Sequence, residues 1–311
     1  MNTMETRKIG SLNVSVVGLG CNKFGGRLDS EGTAAVVQAA LDAGINFFDT
    51  ADIYGQGKSE EYLGRALGNR RGDVVIATKF GNAMEGQGSG ASPAYIRVAV
   101  EGSLRRLGTD RIDLYQLHTP DANTPIADTL GTLGDLVREG KVREIGCSNF
   151  SLEQLREAEA AVRGTATPFV SVQNQFSMLV REPEREILPE CNRTGLAFLP
   201  YFPLASGLLS GKFRQGRPTP EGTRLSGGAR SAQLLTPHNL ALVEQLIKFA
   251  EARGHTILDL AFSWLLSHKP VASVIAGAMT PAQVRANAGT ARWELSANEM
   301  AEVEGILSQP E

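Results

Sequence analysis

The chain has 311 residues, of which 42% are hydrophobic and 21% charged, and its formal net charge is −3. This composition is typical of a globular protein with a sizeable core, and the lack of a basic stripe makes nucleic acid an unexpected partner. The three cysteines, Cys21, Cys147 and Cys191, are far apart and form no C-x-x-C pair. Neither a disulfide framework nor a thiolate metal site is therefore expected.

The N-terminal residues are polar, and no stretch reaches the roughly 18 apolar residues that a membrane span needs. The longest candidate, residues 196–209, is interrupted by Pro200, Pro203 and Ser206. We therefore expect a cytoplasmic protein that does not insert into a membrane.

Short apolar runs of the kind that form buried parallel strands recur along the chain. They cover residues 16–19, 46–48, 74–78, 112–117, 144–147, 169–173, 197–201 and 271–275. Segments with helical periodicity alternate with them and predict helices at 33–43, 59–67, 94–107, 126–139, 151–162, 238–253, 256–267, 281–288 and 297–307. Capping signals support two of the predicted starts, namely Ser92 with Pro93 and Ser151 with Gln154.

Eight strands that alternate with helices are typical of a (β/α)₈ barrel or of a doubly wound open sheet. The count of eight and the lack of a linker favour a TIM barrel formed by one domain over residues 1–311. Residues 8–15 predict a hairpin before the first barrel strand. The segment 206–235, after the seventh strand, is rich in Gly, Arg and Pro and predicts a long loop that is functional or mobile.

A dinucleotide-binding fingerprint is the main competitor of the barrel. Gly18 and Gly20 follow the first predicted strand, but the third glycine of G-x-G-x-x-G would fall on Lys23, and no helix follows directly. The sequence therefore does not support a Rossmann fold.

Polar residues follow several of the predicted strands at the end where a TIM barrel carries its active site. Asp49 and Tyr54 follow the second strand, Lys79 ends the third, and His118 ends the fourth. Each has an ordinary structural explanation when it is taken alone. Their occurrence at successive strand ends favours one shared pocket.

These four residue types suit hydride addition to a carbonyl, which leaves an alkoxide in need of a proton. The phenol of Tyr54 can supply the proton, and the ammonium of Lys79 would lower its ordinary pKa of about 10. Asp49 would hold Lys79 in place, and His118 would orient the substrate oxygen or share the proton.

Several motifs together resemble the aldo-keto reductase superfamily. They are N-F-F-D-T-A-D-I-Y-G at 46–55, A-T-K at 77–79, L-H at 117–118, G-C-S-N-F at 146–150, V-Q-N at 172–174, Y-F-P-L at 201–204 and S-G-L-L-S-G-K at 206–212. The match extends from about residue 7 to residue 287, and it is similar to the branch that includes potassium-channel beta subunits and aldose dehydrogenases. The resemblance implies an enzyme that reduces aldehydes, ketones or sugars with a nicotinamide cofactor.

The resemblance also implies roles for individual residues. Asp49, Tyr54, Lys79 and His118 would be catalytic, with Tyr54 as the general acid. Contacts with the cofactor are implied for Gly20, Cys21, Asn22, Ser148, Asn149, Gln173, Tyr201, Phe202, Pro203, Leu204, Ser206, Lys212, Arg224, Gly277, Met279, Gln283 and Asn287. Among these, Ser148, Asn149 and Gln173 would bind the carboxamide, Tyr201 would stack on the nicotinamide ring, and Lys212 and Arg224 would lie along the pyrophosphate.

NADP(H) is the expected cofactor, although the positions that often carry its 2′-phosphate cation hold Gly277, Ala278 and Met279. Gln283 and Asn287 suit a branch of the family that binds NADP(H). An NAD-linked sugar or alcohol dehydrogenase is thus an alternative. Phe202 also departs from the family, in which many members have a serine at this position.

Two alternatives come from other functional classes. A strand-end lysine in a TIM barrel can form a Schiff base, so a lyase is possible in principle. Some members of the family act as cofactor-sensing regulatory modules, although the complete four-residue group favours turnover. The four histidines show no metal-ligand spacing, and no metal is expected.

Overall fold

The computed structural model describes residues 4–86, 88–162 and 167–309. The chain begins with the predicted hairpin, which is formed by β1 (Thr6–Ile9) and β2 (Leu12–Ser15) in antiparallel pairing. Its apolar residues Ile9, Leu12 and Val14 pack with residues near the starts of the barrel strands, including Phe47 and Val75. The hairpin therefore plugs the N-terminal end of the barrel and leaves the other end accessible.

The remaining strands form one parallel sheet that curves into the predicted α/β barrel. Sequence neighbours pair throughout, and the last strand pairs with the first barrel strand. In chain order the strands are β3 (Val17–Gly20), β4 (Phe47–Asp49), β5 (Val75–Phe80), β6 (Ile112–Leu117), β7 (Val142–Ser148), β8 (Ser171–Gln175), β9 (Ala197–Tyr201) and β10 (Val274–Gly277). All eight expected strands are present, with ends shifted by up to three residues.

The barrel closes through an interruption just before β10. The backbone N–H of Phe198 in β9 donates to the carbonyl of Pro270 at 2.7 Å, and that of Ala272 donates to the carbonyl of Phe198 at 3.1 Å. The chain then changes partner, and Val274 to Gly277 pair with Val17 to Gly20 of β3. The expected strand at 271–275 therefore spans two short pieces that bond to opposite neighbours.

Helices surround the barrel in the alternating order that the sequence predicts. They are α1 (Ser30–Asp42), α2 (Lys58–Leu67), α3 (Pro93–Leu107), α4 (Ile126–Arg138), α5 (Leu152–Ala161), α6 (Ile187–Thr194), α7 (Ala229–Leu234), α8 (Pro237–Glu251), α9 (Ile257–Leu266), α10 (Pro281–Gly289) and α11 (Ala297–Leu307). The expected caps are present, since Ser92 accepts from the N–H of Tyr95 and Ser151 forms a capping box with Gln154. Within the described ranges, none of the helices combines the length and the apolar character needed to span a bilayer.

Two helices lie where the sequence predicts none. The helix α6 is short and polar, and α7 lies within the segment expected to be a loop. That segment also begins with a 3₁₀ helix, Ala205–Ser210, and is anchored by the buried side chains of Leu208, Phe213 and Leu225. The long connection after β9 therefore contains short helical pieces, and these apolar residues tie parts of it to the core.

Candidate active site

A buried ion pair lies at the C-terminal ends of β4 and β5. The ammonium of Lys79 donates to Asp49 Oδ2 at 2.7 Å and to the carbonyl of Thr50 at 2.8 Å. Lys79 is 0% exposed and Asp49 is 4% exposed. Burial opposes the charge on Lys79, but Asp49 and then Tyr54 raise its pKa above the ordinary value. The amine therefore stays protonated, which disfavours its use as a Schiff-base nucleophile.

Asp49 accepts two further hydrogen bonds from buried amides. Gln173 Nε2 donates to Asp49 Oδ1 at 2.9 Å, and Gln116 Nε2 donates to the same oxygen at 3.3 Å. A buried carboxylate with a cation and several donors is held in one orientation. These bonds join β4, β5, β6 and β8 around one carboxylate.

Tyr54 is carried beside this pair by the turn between β4 and α2. The Lys79 ammonium lies 5.3 Å from the centroid of the Tyr54 ring. The turn packs closely on a neighbouring loop, since a Cβ at Gly55 would lie 3.0 Å from backbone atoms of Phe24 and Gly25. Gly55 also has a φ of 59°, which favours glycine. The sequence of the turn therefore fixes the position of the phenol.

Opposing influences act on the phenol of Tyr54. Burial raises its pKa, the Lys79 charge lowers it, and Asp49 raises it, with a net increase above the ordinary value of 10.0. Tyr54 is therefore protonated at neutral pH. This is the state that a general acid needs before reaction.

His118 lies next to Tyr54, with its ring in an edge-to-face arrangement at a centroid distance of 5.9 Å. Burial, and then the Lys79 charge, lower the pKa of His118 from 6.5 to about 3. Its Nδ1 atom is buried and has no hydrogen-bond partner among the described residues. The imidazole is therefore neutral at working pH and carries one N–H.

Asn149 links the predicted catalytic group to the next strands. Its amide donates to the carbonyl of His118 at 2.9 Å and to Ser148 Oγ at 3.1 Å, and its Oδ1 accepts from the hydroxyl of Tyr201 at 2.8 Å. Ser148 Oγ donates to the carbonyl of Gln173 at 2.7 Å. The four residues expected to contact the nicotinamide thus form one connected group beside Asp49.

Strained backbone is concentrated along the same rim. Asn149, Phe202, Ala205 and Ser206 have φ values of 62°, 52°, 44° and 60°. Such conformations are costly for residues other than glycine and are often found at binding sites. Three of the four residues, namely Asn149, Phe202 and Ser206, are among those predicted to contact a cofactor.

Arg224 reaches back from the segment after β9 to the first barrel strand. Its guanidinium donates to Asn22 Oδ1 at 2.9 Å and lies 5.2 Å from the ring centroid of Phe202. Partial desolvation, and then the charge of Arg224, lower the pKa of Lys212. The two cations therefore lie near each other, and an anion between them would relieve their repulsion.

The remaining predicted cofactor residues surround these two groups. Gly20 pairs with Asp49 on one side and with Gly277 on the other, and the N–H of Cys21 donates to the carbonyl of Asp49 at 2.8 Å. The backbone carbonyl of Leu204 accepts from the N–H of Gly207 at 2.7 Å. Pro203, the preceding residue, is buried.

The start of α10 brings together the predicted residues at the adenosine end. Gln283 Oε1 accepts from the N–H of Met279 at 2.7 Å. Asn287 is buried one turn further along α10. These contacts place Met279 and Gln283 side by side.

Sequence reasoning missed two residues of the site. Gln116 is fully buried and bonds to Asp49, and Asp52 is 1% exposed in the turn that carries Tyr54. Both gave a weak sequence signal. Gln116 is a polar residue in a largely apolar strand, two residues before His118. Asp52 is a second acidic residue, three positions after Asp49.

A parallel eight-stranded barrel with ionisable side chains at its C-terminal rim is the architecture of a large class of enzymes. The family model of the aldo/keto reductase family matches residues 16–308. The chain is 34% identical over 308 residues to aldo-keto reductase YhdN of Bacillus subtilis (strain 168), which covers 95% of this chain and 91% of the relative.

Two solved structures resemble this fold closely. The glycerol dehydrogenase AKR11B4 from Gluconobacter oxydans has a TM-score of 0.85 and 33% identity, and the match covers 97% of this chain and 95% of the other. The holo form of aldo-keto reductase AKR11C1 from Bacillus halodurans has a TM-score of 0.81 and 34% identity, with 97% and 96% covered. The chain therefore belongs to the aldo/keto reductase family and is an NAD(P)H-dependent oxidoreductase.

Proposed function

We propose that the enzyme reduces aldehydes and ketones to alcohols with NADP(H), and that Tyr54 is the general acid. One observation carries this proposal. The protonated phenol of Tyr54 lies beside the Lys79 ammonium, and a buried carboxylate, Asp49, holds that ammonium in place. A fixed positive charge next to a phenol stabilises the phenolate that forms when the proton leaves.

Tyr54, Lys79 and His118 each have a separate role in this proposal, and Asp49 holds Lys79 in place. When it is bound, the nicotinamide supplies a hydride in reduction and accepts one in oxidation. Tyr54 protonates the oxygen of the carbonyl as the carbon is reduced, and Lys79 stabilises the phenolate that remains. Neutral His118 donates its N–H to the same oxygen and orients it. Solvent then returns a proton to Tyr54.

The residues present fit a nicotinamide dinucleotide. Ser148, Asn149 and Gln173 offer hydroxyl and amide groups that suit a carboxamide, and Tyr201 offers an aromatic face beside them. Lys212 and Arg224 offer two close cations that suit a pyrophosphate.

Alcohol oxidation is the second candidate function, and two observations favour it. A structure with a TM-score of 0.85 is a glycerol dehydrogenase. In addition, residues 277–279 are Gly, Ala and Met, so none of the three supplies a cation for a 2′-phosphate. An NAD-linked enzyme that oxidises sugars, polyols or other alcohols would need no such cation. A cytoplasmic location stays a prediction from the sequence.

Parallel assays separate the two candidates. Loss of reduced-cofactor absorbance with an activated aromatic aldehyde is measured with NADPH and with NADH, and glycerol oxidation is measured with NADP⁺ and NAD⁺. A higher kcat/KM for the aldehyde with NADPH supports the proposal. Preference for NAD⁺ with glycerol supports the dehydrogenase, and tight cofactor binding without any turnover would support a regulatory module.

The substitution Tyr54→Phe tests the general acid. We expect a fall in kcat of about 10²–10⁴-fold, because the ring is retained while the transferable proton is lost. The dissociation constant for the cofactor, measured by fluorescence titration, is expected to stay within about threefold of the parent value, since cofactor binding does not use the hydroxyl. Tyr62→Phe, at a half-buried position of α2, is the matched control. Near-parental kcat in Tyr54→Phe would remove Tyr54 from the mechanism.

A further inference from the structure

A buried polar cluster lies behind the candidate active site, between β5 and the helices α2 and α3. Thr78 Oγ1 donates to Glu60 Oε1 at 2.6 Å, and Arg106 Nε donates to Glu60 Oε2 at 2.7 Å. Side chains alternate along β5, so Lys79 points to Asp49 while Thr78 points outward to the cluster. One strand therefore contacts the catalytic group on one face and the cluster on the other.

Three atoms of this cluster are buried without a hydrogen-bond partner in the described ranges. They are Asp52 Oδ2, Arg106 Nη1 and the hydroxyl of Tyr115. Asp52 is only 1% exposed. An ionised carboxylate with one oxygen that lacks a donor costs far more to bury than a protonated carboxyl does. The surroundings of Asp52 therefore favour its neutral form.

Asp52 is attached to both catalytic partners through the backbone. Its N–H donates to the carbonyl of Lys79 at 3.1 Å, and it precedes Tyr54 by two residues in the same turn. Its Oδ1 accepts from the N–H of Ile53 at 2.6 Å. The Asp52 carboxyl is thus tied through one backbone hydrogen bond to the residue that carries the ammonium, and the Lys79 charge acts on it.

The charged and titratable groups around Asp52 come from every element packed against it. They are Glu60 on α2, Tyr95 and Arg106 on α3, Lys79 on β5 and Tyr115 on β6. Burial, and then the charge of Glu60, raise the pKa of Asp52 from 3.8 to about 7, although Ile53, Arg106 and Lys79 act in the opposite direction. The group therefore changes charge near neutral pH.

We propose that Asp52 is a positioning residue for the reaction, which acts through Lys79 on the proton of Tyr54. While Asp52 is neutral, the Lys79 ammonium acts fully on Tyr54 and helps the phenol to release its proton. When Asp52 ionises, its negative charge offsets part of the Lys79 field and the phenol becomes a weaker acid. This inference rests on the acid role proposed for Tyr54.

The substitution Asp52→Asn is the main test. It keeps an oxygen that can accept from Ile53 but removes the ionisation. In the parent enzyme, kcat for aldehyde reduction is expected to fall by about threefold to tenfold as the pH rises through neutrality. Asp52→Asn is expected to lose this step and to remain at the low-pH level. Tyr115→Phe changes the same cluster without changing its charge, and it is expected to keep the step.

The substitution Glu60→Gln provides a second test. Its amide can rotate to accept from Arg106 and donate to Thr78, while the charge that raises the pKa of Asp52 is lost. The step in kcat is therefore expected to move to lower pH. If Asp52→Asn fails to fold, Glu60→Gln decides alone, and an unmoved step in that variant overturns the proposal.

Thermal unfolding supplies a measurement that is independent of turnover. The folded state keeps the Asp52 proton up to about pH 7, whereas the ordinary pKa of this carboxyl group is 3.8. Between these values the folded state binds more protons, so the contribution of Asp52 to stability declines as pH rises. The Tm of Asp52→Asn relative to the parent is therefore expected to be higher at about pH 9 than at about pH 5.

The outcomes separate this inference from the proposed function. Near-parental activity of Tyr54→Phe contradicts the function proposed for Tyr54. An inactive Tyr54→Phe, together with a parental pH profile in Asp52→Asn, overturns the role of Asp52 alone. Loss of the pH-dependent step in kcat in Asp52→Asn, with the expected Tm difference, supports both the role of Asp52 and the acid role of Tyr54.

Discussion

Lys79 is the residue on which the arrangement of the site depends. It is fully buried, and its ammonium bridges the carboxylate of Asp49 and the ring of Tyr54. Its charge lowers the pKa of Tyr54 against the effects of burial and of Asp49. Burial is the largest influence on the pKa of the phenol, and the Lys79 charge is the main influence that opposes it.

The substitution Lys79→Met should cripple turnover in a recognisable way. Without the ammonium the pKa of Tyr54 rises further, so we expect kcat to fall by about 10²–10⁴-fold. The pH profile of alcohol oxidation, which needs the phenolate, is expected to move to higher pH. Steady-state rates across the pH range measure both effects, and an unchanged profile would contradict the assigned role.

Two further variants keep this test interpretable. Lys79→Met leaves Asp49 buried without its cation, which is strongly destabilising. The double variant with Asp49→Asn removes that unpaired charge and serves if the single variant does not fold. Lys269→Met removes an exposed lysine and is expected to leave both rate and profile unchanged.

At the residue scale, the sequence indicated that the proposed catalytic residues share one rim, because motif order and strand ends were both readable. Asp49, Lys79 and His118 each end or follow an apolar run, so the barrel topology alone brings them to one rim. The pairing of Asp49 with Lys79 was expected, but the bonds to Asp49 from the neighbouring strands were not predictable. Nothing in the sequence indicates that the amides of Gln116 and Gln173 point to the same oxygen of Asp49.

At the scale of secondary structure elements, α6 shows where sequence patterns fail. The helix has only eight residues, with Pro189 in its first turn, and it carries few apolar residues. Its apolar residues Ile187, Leu188 and Cys191 are buried in the core, and ion pairs also connect it to α5. Glu190 is paired with Arg156 and Arg193, and Arg193 is also paired with Glu159. The contacts with α5 join residues 34 positions apart and give no local signal.

The substitution Glu190→Gln tests the contribution of this ion-pair cluster. The hydrogen bond from Arg193 outweighs burial and, with Arg156, lowers the pKa of Glu190 from 4.5 to about 2. A carboxyl with a lowered folded-state pKa stabilises the protein above its ordinary pKa, and this contribution declines as pH falls through the window between the two values. Because both arginines are largely exposed, we expect a loss of only about 1–2 kcal/mol at neutral pH.

Urea unfolding at two pH values measures that loss. The difference between the parent and Glu190→Gln is expected to be full at about pH 7 and much smaller at about pH 3. Glu186→Gln, an exposed position just before α6, is the matched control. A pH-independent difference would show that the carboxylate charge does not stabilise this helix.

At the scale of the whole molecule, the barrel was predictable because alternation and strand count are global properties of the sequence. The way it closes was not. Residues 270–272 bond to β9 and Val274 to Gly277 bond to β3, so the last strand joins its two neighbours in two separate pieces. An apolar run shows that a strand is buried, but it does not show where the strand changes partner.

Gly18 and Ser273 meet at this closure and give a sharp prediction. A Cβ at Gly18 would lie 2.9 Å from both Phe47 Cδ1 and Ser273 Oγ. Both neighbours are fully buried, so Gly18→Ala is expected to lower the free energy of unfolding by about 1–3 kcal/mol through overpacking. Ser273→Ala in the same chain removes one of the two clashing atoms and should recover part of this loss.

Gly131→Ala is the opposite case and the control. Gly131 lies on the exposed face of α4, and no atom lies within 4 Å of the Cβ that it would gain. Alanine favours a helix over glycine, so this change is expected to stabilise the protein by about 0.5–1 kcal/mol. If urea unfolding shows that the free energy of unfolding falls in Gly18→Ala and rises in Gly131→Ala, the tight packing lies at the closure of the barrel. A neutral Gly18→Ala would mean that β3 and β10 can move apart without cost.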